Sequence, residues 1–261
     1  MLIDSHCHIA SCEFSNDLPD IIGRARSGGI TVMLSVCTKT SDYPQMLDIS
    51  EEYEGIFNTV GIHPSETQEY ADSLDEQAIS AWIQTCAQNP KTVSVGEIGL
   101  DYSYDGIDHM LQKKLFTLQA KAGISAGLPL IIHTRNAEED TIRILKSIGA
   151  ASGVIHCFAG SEWLMRQALD LGFYISFSGI ITFKKSDVLR ELVKKAPINR
   201  ILAETDAPFL APEPVRGKRN EPAYVKHVAE KIAELRGVDI RDLTAQIHKN
   251  FYALFTKAIN V

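Results

Sequence analysis

Short apolar, β-branched runs recur along this chain with helix-like stretches between them, the pattern of parallel strands joined by crossover helices. Eight such runs predict strands: Leu2 to His6, Thr31 to Cys37, Ile56 to Ile62, Thr92 to Glu97, Pro129 to His133, Gly153 to Cys157, Phe173 to Ser178 and Arg200 to Asp206. Caps and helical periodicity predict the elements between them. One helix starts near Asp17, with Pro19 in its first turn, and stops before Gly28-Gly29; a second spans Asp42 to Tyr53; Ser73 or Asp75 caps a third that runs through Cys86. Others follow at Asp108 to Ala126, Glu138 to Ile148, Glu162 to Leu171, Ser186 to Lys195, Ala223 to Arg236 and Asp239 to Phe255. Eight βα units in 261 residues imply an α/β fold, a (β/α)8 TIM barrel, regular or distorted. The extra C-terminal helix is then left to pack across the barrel's outside or its lower end.

No Pro/Gly/Ser-rich linker or charge block divides the chain, so residues 1–261 read as one domain. No apolar run approaches the roughly 20 residues of a membrane span, and no signal-like segment opens the chain; a cytoplasmic, monomeric protein is expected. Cys7, Cys12, Cys37, Cys86 and Cys157 form an odd, scattered set, read as reduced thiols rather than disulfides. A net charge of −7 argues against a broad cationic face for long duplex nucleic acid.

In such barrels the chemistry gathers at the C-terminal ends of the strands, and here those ends carry polar residues of one kind. Strand alternation puts His6 and His8 on one face with Cys7 opposite. The third strand leads into Ile62-His63-Pro64, the fourth into Glu97 and Asp101, the fifth into His133-Thr134-Arg135, the sixth into His156, and the eighth into Glu204-Thr205-Asp206. Four histidines and two carboxylates exceed what one ion needs, since a catalytic zinc commonly takes three protein ligands plus water. Two divalent ions are therefore expected: one held by His6, His8, Glu97 and Asp206, the other by Glu97, His133 and His156, with Glu97 bridging. Imidazole-rich ligation points to zinc, manganese, iron or nickel before magnesium, which availability can still favour.

The motifs Asp4-Ser5-His6-Cys7-His8, Gly61-Ile62-His63-Pro64, Gly96-Glu97-Ile98-Gly99-Leu100-Asp101, His133-Thr134-Arg135, His156-Cys157-Phe158 and Glu204-Thr205-Asp206 resemble those of the TatD family of metal-dependent deoxyribonucleases. So do Arg216-Gly217-Lys218-Arg219-Asn220-Glu221-Pro222 and the closing Asn250-Phe251-Tyr252-Ala253-Leu254-Phe255. The resemblance spans essentially the whole chain. It implies a (β/α)8 fold and divalent-metal hydrolysis of DNA phosphodiesters, within a wider amidohydrolase-like superfamily.

Around the ligands, Asp4 and Glu204 share strand faces with His6 and Asp206 and are candidates to orient them. Asp4 also has a purely structural reading, as a polar plug in the barrel floor, and Glu204 a direct one, holding a ligand or a substrate group. His63 is expected to touch substrate phosphate or to shape the Pro64 turn, and the planar fork of Arg135 suits a pair of phosphate oxygens or a salt bridge to a loop carboxylate. Arg216 and Lys218, with Arg219, lie after strand eight, where barrels often bind phosphate, although a solvated charge run reads equally well. Asp206 is the expected base for the attacking water, and Glu97 the other catalytic carboxylate. The expected substrate is short or single-stranded DNA. An amide or ester hydrolase, acting on aminoacyl-tRNA or a small cyclic amide, is the alternative the same ligands allow, and a catalytically idle metal-stabilised scaffold is a third.

Overall fold

The computed structural model describes residues 1–71 and 75–260. Its eight strands are β1 (Leu2–Cys7), β2 (Ile30–Ser35), β3 (Ile56–Val60), β4 (Thr92–Asp101), β5 (Leu130–Arg135), β6 (Gly153–Ile155), β7 (Tyr174–Phe177) and β8 (Ile201–Ala203). They form one sheet in sequential order, every adjacent pair parallel. The helices are α1 (Leu18–Ser27), α2 (Tyr43–Glu52), α3 (Glu76–Gln88), α4 (His109–Ser125), α5 (Glu138–Ser147), α6 (Glu162–Asp170), α7 (Asp187–Lys195), α8 (Val225–Arg236) and α9 (Ile240–Leu254). This is the (β/α)8 barrel. Asp75, Asp108, Ser161 and Asp239 each accept a hydrogen bond from an amide of the turn they open, which satisfies a donor the helix cannot. Ser73, the other candidate cap for α3, lies outside the described residues. Asp17 makes no cap bond and pairs instead with Arg219 and Arg24.

Among the strand ends that differ from expectation, three have a backbone reason. β6 and β8 stop early because Cys157 (φ 41°) and Asp206 (φ 59°) adopt left-handed conformations that cannot extend a ladder. β4 runs on past Glu97 to Asp101, buried throughout its length, because Gly99 takes a φ of 145° that admits the irregularity without ending the strand.

The barrel is nearly closed. β1 and β8 share no regular ladder; they meet beyond β8 through a single parallel bridge between Cys7 and Ala207. His8 N donates to Ala207 O at 2.8 Å, and Asp206 N donates to His6 O at 3.0 Å. The ninth helix covers this seam, packing on β1, β8 and α8. Its buried Asn250 donates from Nδ2 to Ile198 O and Ile201 O, both at 2.8 Å, which locks α9 to the start of β8. Among the described residues no helix is long and apolar enough to cross a membrane.

Candidate metal centre

The centre is built on an irregularity between β4 and β5. Their register shifts between Val95 and Ile98, so β4 carries one extra residue there, the device by which a bulge re-aims a side chain. Two glycines let the strands approach. A Cβ on Gly96 would lie 2.5 Å from Ile131 Cβ, and one on Gly99 would lie 1.9 Å from His133 O. The result is a buried Glu97 with Oε1 2.8 Å from His133 Nδ1.

Each oxygen of Glu97 faces its own set of donors. Oε2 is 3.3 Å from His6 Nε2 and 3.8 Å from His8 Nε2. Those two nitrogens are 3.4 Å apart and lie 3.6 and 3.3 Å from Asp206 Oδ1. Oε1 is 2.7 Å from His156 Nε2, which is 3.2 Å from His133 Nδ1. The structure brings all six of the residues expected as ligands together, and His6, His156 and Asp206 also stand close enough to share an ion. The second group has one more member. His63, expected at substrate phosphate or in shaping the Pro64 turn, places Nε2 3.3 Å from Glu97 Oε1, and its Nδ1 accepts a hydrogen bond from Ser65 N that fixes the ring at the start of that turn.

Neighbouring side chains set the imidazole orientations. Asp101, given no role from the sequence, holds His133 Nε2 through Oδ2 at 2.9 Å and is itself fixed by Ser103 N and Oγ. The alternation Glu97, Gly99, Asp101 along an extended β4 was the available signal. Glu204 lies behind His156, Oε1 3.3 Å from its Nδ1, while accepting from Cys157 N at 2.7 Å. Asp4 does something other than orient an imidazole: it accepts from Thr205 N (2.9 Å), Thr205 Oγ1 (2.5 Å) and His6 N (3.4 Å), tying the backbone across the seam.

Among the basic residues, Arg135 ends β5 exposed at the rim, and Lys218 is exposed in the loop after β8. Arg216 is exposed with its guanidinium 4.0 Å above the Phe183 ring. Arg219 is committed elsewhere, bonding Glu13 O and Asp17 and lying over Phe14.

Burial opposes charge on Glu97, yet the nearby charges of His156 and His63 and hydrogen bonds with His133 and His156 outweigh it, holding the carboxyl well below its usual range. Asp206 is also held low, with burial opposing and the His8 hydrogen bond and the charges of His6 and His8 prevailing. Burial works against a proton on His156, but Glu97 and Glu204 lift its affinity well above the ordinary imidazole value. The carboxylates thus demand positive charge from their surroundings.

These residues fit divalent cations. Ligands about 2.0–2.2 Å from a tetrahedral ion stand about 3.3–3.6 Å from one another, close to the 3.3–3.8 Å separations recorded among His6, His8, Glu97 and Asp206. Protons do not explain the same contacts. His6 Nε2 faces three acceptor-type atoms and can give one hydrogen to only one of them, while its Nδ1 is buried with no hydrogen-bond partner among the described residues.

Comparisons with known proteins agree with this geometry. The family model described as TatD related DNase matches residues 3–256. The chain is 38% identical over 257 residues to the uncharacterized metal-dependent hydrolase YabD of Bacillus subtilis (strain 168), covering 98% of this chain and 99% of that protein. It is 31% identical over 266 residues to the 3'-5' ssDNA/RNA exonuclease TatD of Klebsiella pneumoniae (strain 342), covering 99% of each. The crystal structure of the TatD homologue YJJV from Escherichia coli K12 superposes with a TM-score of 0.91 at 28% identity, over 98% of each chain.

Proposed function

We propose that this chain, which belongs to the TatD-related DNase family of metal-dependent hydrolases, hydrolyses phosphodiester bonds of short or single-stranded DNA at the cluster around Glu97. The observation that carries the reading is one buried carboxylate whose two oxygens are approached by five imidazole nitrogens, with Asp206 closing one side. The name of the Klebsiella relative points to the same class of substrate.

His6, His8, Asp206 and Glu97 Oε2 are suited to hold one ion, and Glu97 Oε1, His133 and His156 a second, with His63 beside it. Zinc, manganese or magnesium bound there supplies Lewis acidity, lowering the pKa of a bound water and drawing charge from the phosphate oxygens. The protein's own groups do the rest. Asp206, held ionised, accepts the proton of the attacking water. Asp101 and Glu204 hold His133 and His156 in place, so that little reorganisation is needed as charge develops. Arg135 pairs with a non-bridging oxygen of the substrate, and Arg216 and Lys218 take phosphates further along the strand. The working unit is one domain, residues 1–261, acting as a monomer.

The test is hydrolysis of a short single-stranded DNA, its duplex and a panel of aminoacyl esters and cyclic amides, with zinc, manganese or magnesium added in turn, beside Asp206→Asn. Metal-dependent release of nucleotides, lost in the variant, is the expected outcome. Turnover confined to esters or amides overturns the phosphodiester assignment, and metal binding without any turnover leaves a scaffold.

A further inference from the structure

The C-terminal rim of the barrel is uneven in charge. Beside β7 and β8, the segment after β7 lies against the long loop after β8: Glu213 N donates to Thr182 Oγ1 at 3.0 Å, and Arg216 stacks on Phe183. Lys184 and Lys185 follow Phe183 directly and are exposed, as are Arg216 and Lys218. None of these four has a carboxylate partner among the described residues, whereas nearby Arg190 and Arg219 pair with Asp187 and Asp17. Between Asp206 and Glu221, the stretch that carries Arg216 and Lys218 has a single carboxylate, Glu213. On a chain of net charge −7, four uncompensated cations in one place form a local attraction for a polyanion.

Phe209 joins this patch to the metal centre. It is 54% exposed, and its ring stands edge-on to His8 with centroids 5.9 Å apart. The loop presenting it is held firmly. Phe209 N donates to Asp206 O at 2.9 Å, and the buried Asn220 side chain donates to Thr205 O at 2.9 Å and to Phe209 O at 2.5 Å. A large apolar ring kept in water by a braced backbone, one side chain from the reacting centre, has the properties of a stacking platform.

We propose that single-stranded nucleic acid enters over this side of the rim: Phe209 stacks the base beside the phosphate held at the Glu97 cluster, and Lys184, Lys185, Arg216 and Lys218 track the phosphates beyond it. The inference rests on the phosphodiesterase reading above and adds which side carries the strand and which residue selects it. Every base has a π-face, so the platform has little sequence preference, but a base inside a duplex cannot offer that face. Phe209 therefore favours unpaired ends.

The experiment compares hydrolysis of a dinucleotide and an eight-nucleotide single strand by the metal-loaded enzyme across a salt series. In Phe209→Ala, KM is expected to rise about 5- to 100-fold on both substrates with kcat changed less than about threefold, and Phe209→Tyr is expected to restore it. In Lys184→Ala/Lys185→Ala, KM rises for the longer strand alone, and the slope of log affinity against log salt becomes shallower by about 0.7 for each lysine that met a phosphate. Hydrolysis of both substrates with unaltered KM in these variants overturns the inference alone. Failure of the wild type to cleave either strand overturns the proposed function and this inference with it.

Discussion

His133 is gripped at both ring nitrogens, Nδ1 toward Glu97 and Nε2 toward Asp101. Asp101 is held down to about 2, burial opposing and the hydrogen bonds from His133 and Ser103 prevailing, so it stays ionised and keeps the ring oriented at any working pH. Asp101→Asn is expected to weaken binding at the His133–His156 site about 10- to 100-fold while thermal stability changes little. Calorimetric metal titration measures this, and an unchanged second-site affinity would remove the positioning role. Asp4 carries a different kind of prediction. Burial raises it to about 8 even though Thr205 and His6 donate to it, so the folded chain keeps its proton longer than the unfolded chain does. The folded state then binds more protons between about pH 4 and pH 8, and this contribution to stability falls as pH rises through that window. In chelator-treated protein, Asp4→Asn should flatten the fall of the melting temperature over this range; a wild-type profile already flat there contradicts the assignment.

At the scale of elements, the seam between β1 and β8 has one bridge in place of a regular ladder, and α9, fixed to β8 by Asn250, packs over it. Asn250→Ala leaves the carbonyls of Ile198 and Ile201 without their buried donor, at a cost of about 1–3 kcal/mol. Because α9 acts at the start of β8, away from the strand ends that carry the ligands, the variant should unfold at lower denaturant with metal affinity retained. Loss of metal binding in the folded variant would show that the seam also tensions the site.

The existence and order of the elements were legible because each strand is a compact β-branched run and four helices announce themselves with capping Asp or Ser. The convergence of His6 and His8 was legible through alternation, although β1 ends at Cys7 and His8 lies just past it. The misses are backbone effects. The end of β4 could not be read because Gly99 hides a strand continuing through an unusual φ, so Asp101 was seen near the strand end without its role at His133. His63 sits in a turn after β3, where no periodicity aims a side chain, and only the packed barrel shows that it reaches Glu97.

For the whole molecule, β1, β4, β5 and the segments after β6 and β8 all converge on the polar cluster, so a bound cation would add a structural link among them. With ion supplied at about 100 times its Kd, binding to the folded state alone stabilises by about 2.7 kcal/mol, which for a chain of this size raises Tm by about 5–10 °C. Chelation should reverse the shift. A melting temperature indifferent to zinc, manganese and magnesium would mean the cluster binds none of them.

The single bridge from Cys7 to Ala207 has a consequence for how the protein is made. His6 and His8 leave the ribosome some two hundred residues ahead of the carboxylate of Asp206, which follows after seven strands have already been able to pair with their neighbours. The cluster is therefore completed only once the eighth strand has emerged. Before then the donors at Glu97 Oε1 can already gather, while the group of His6 and His8 still lacks Asp206.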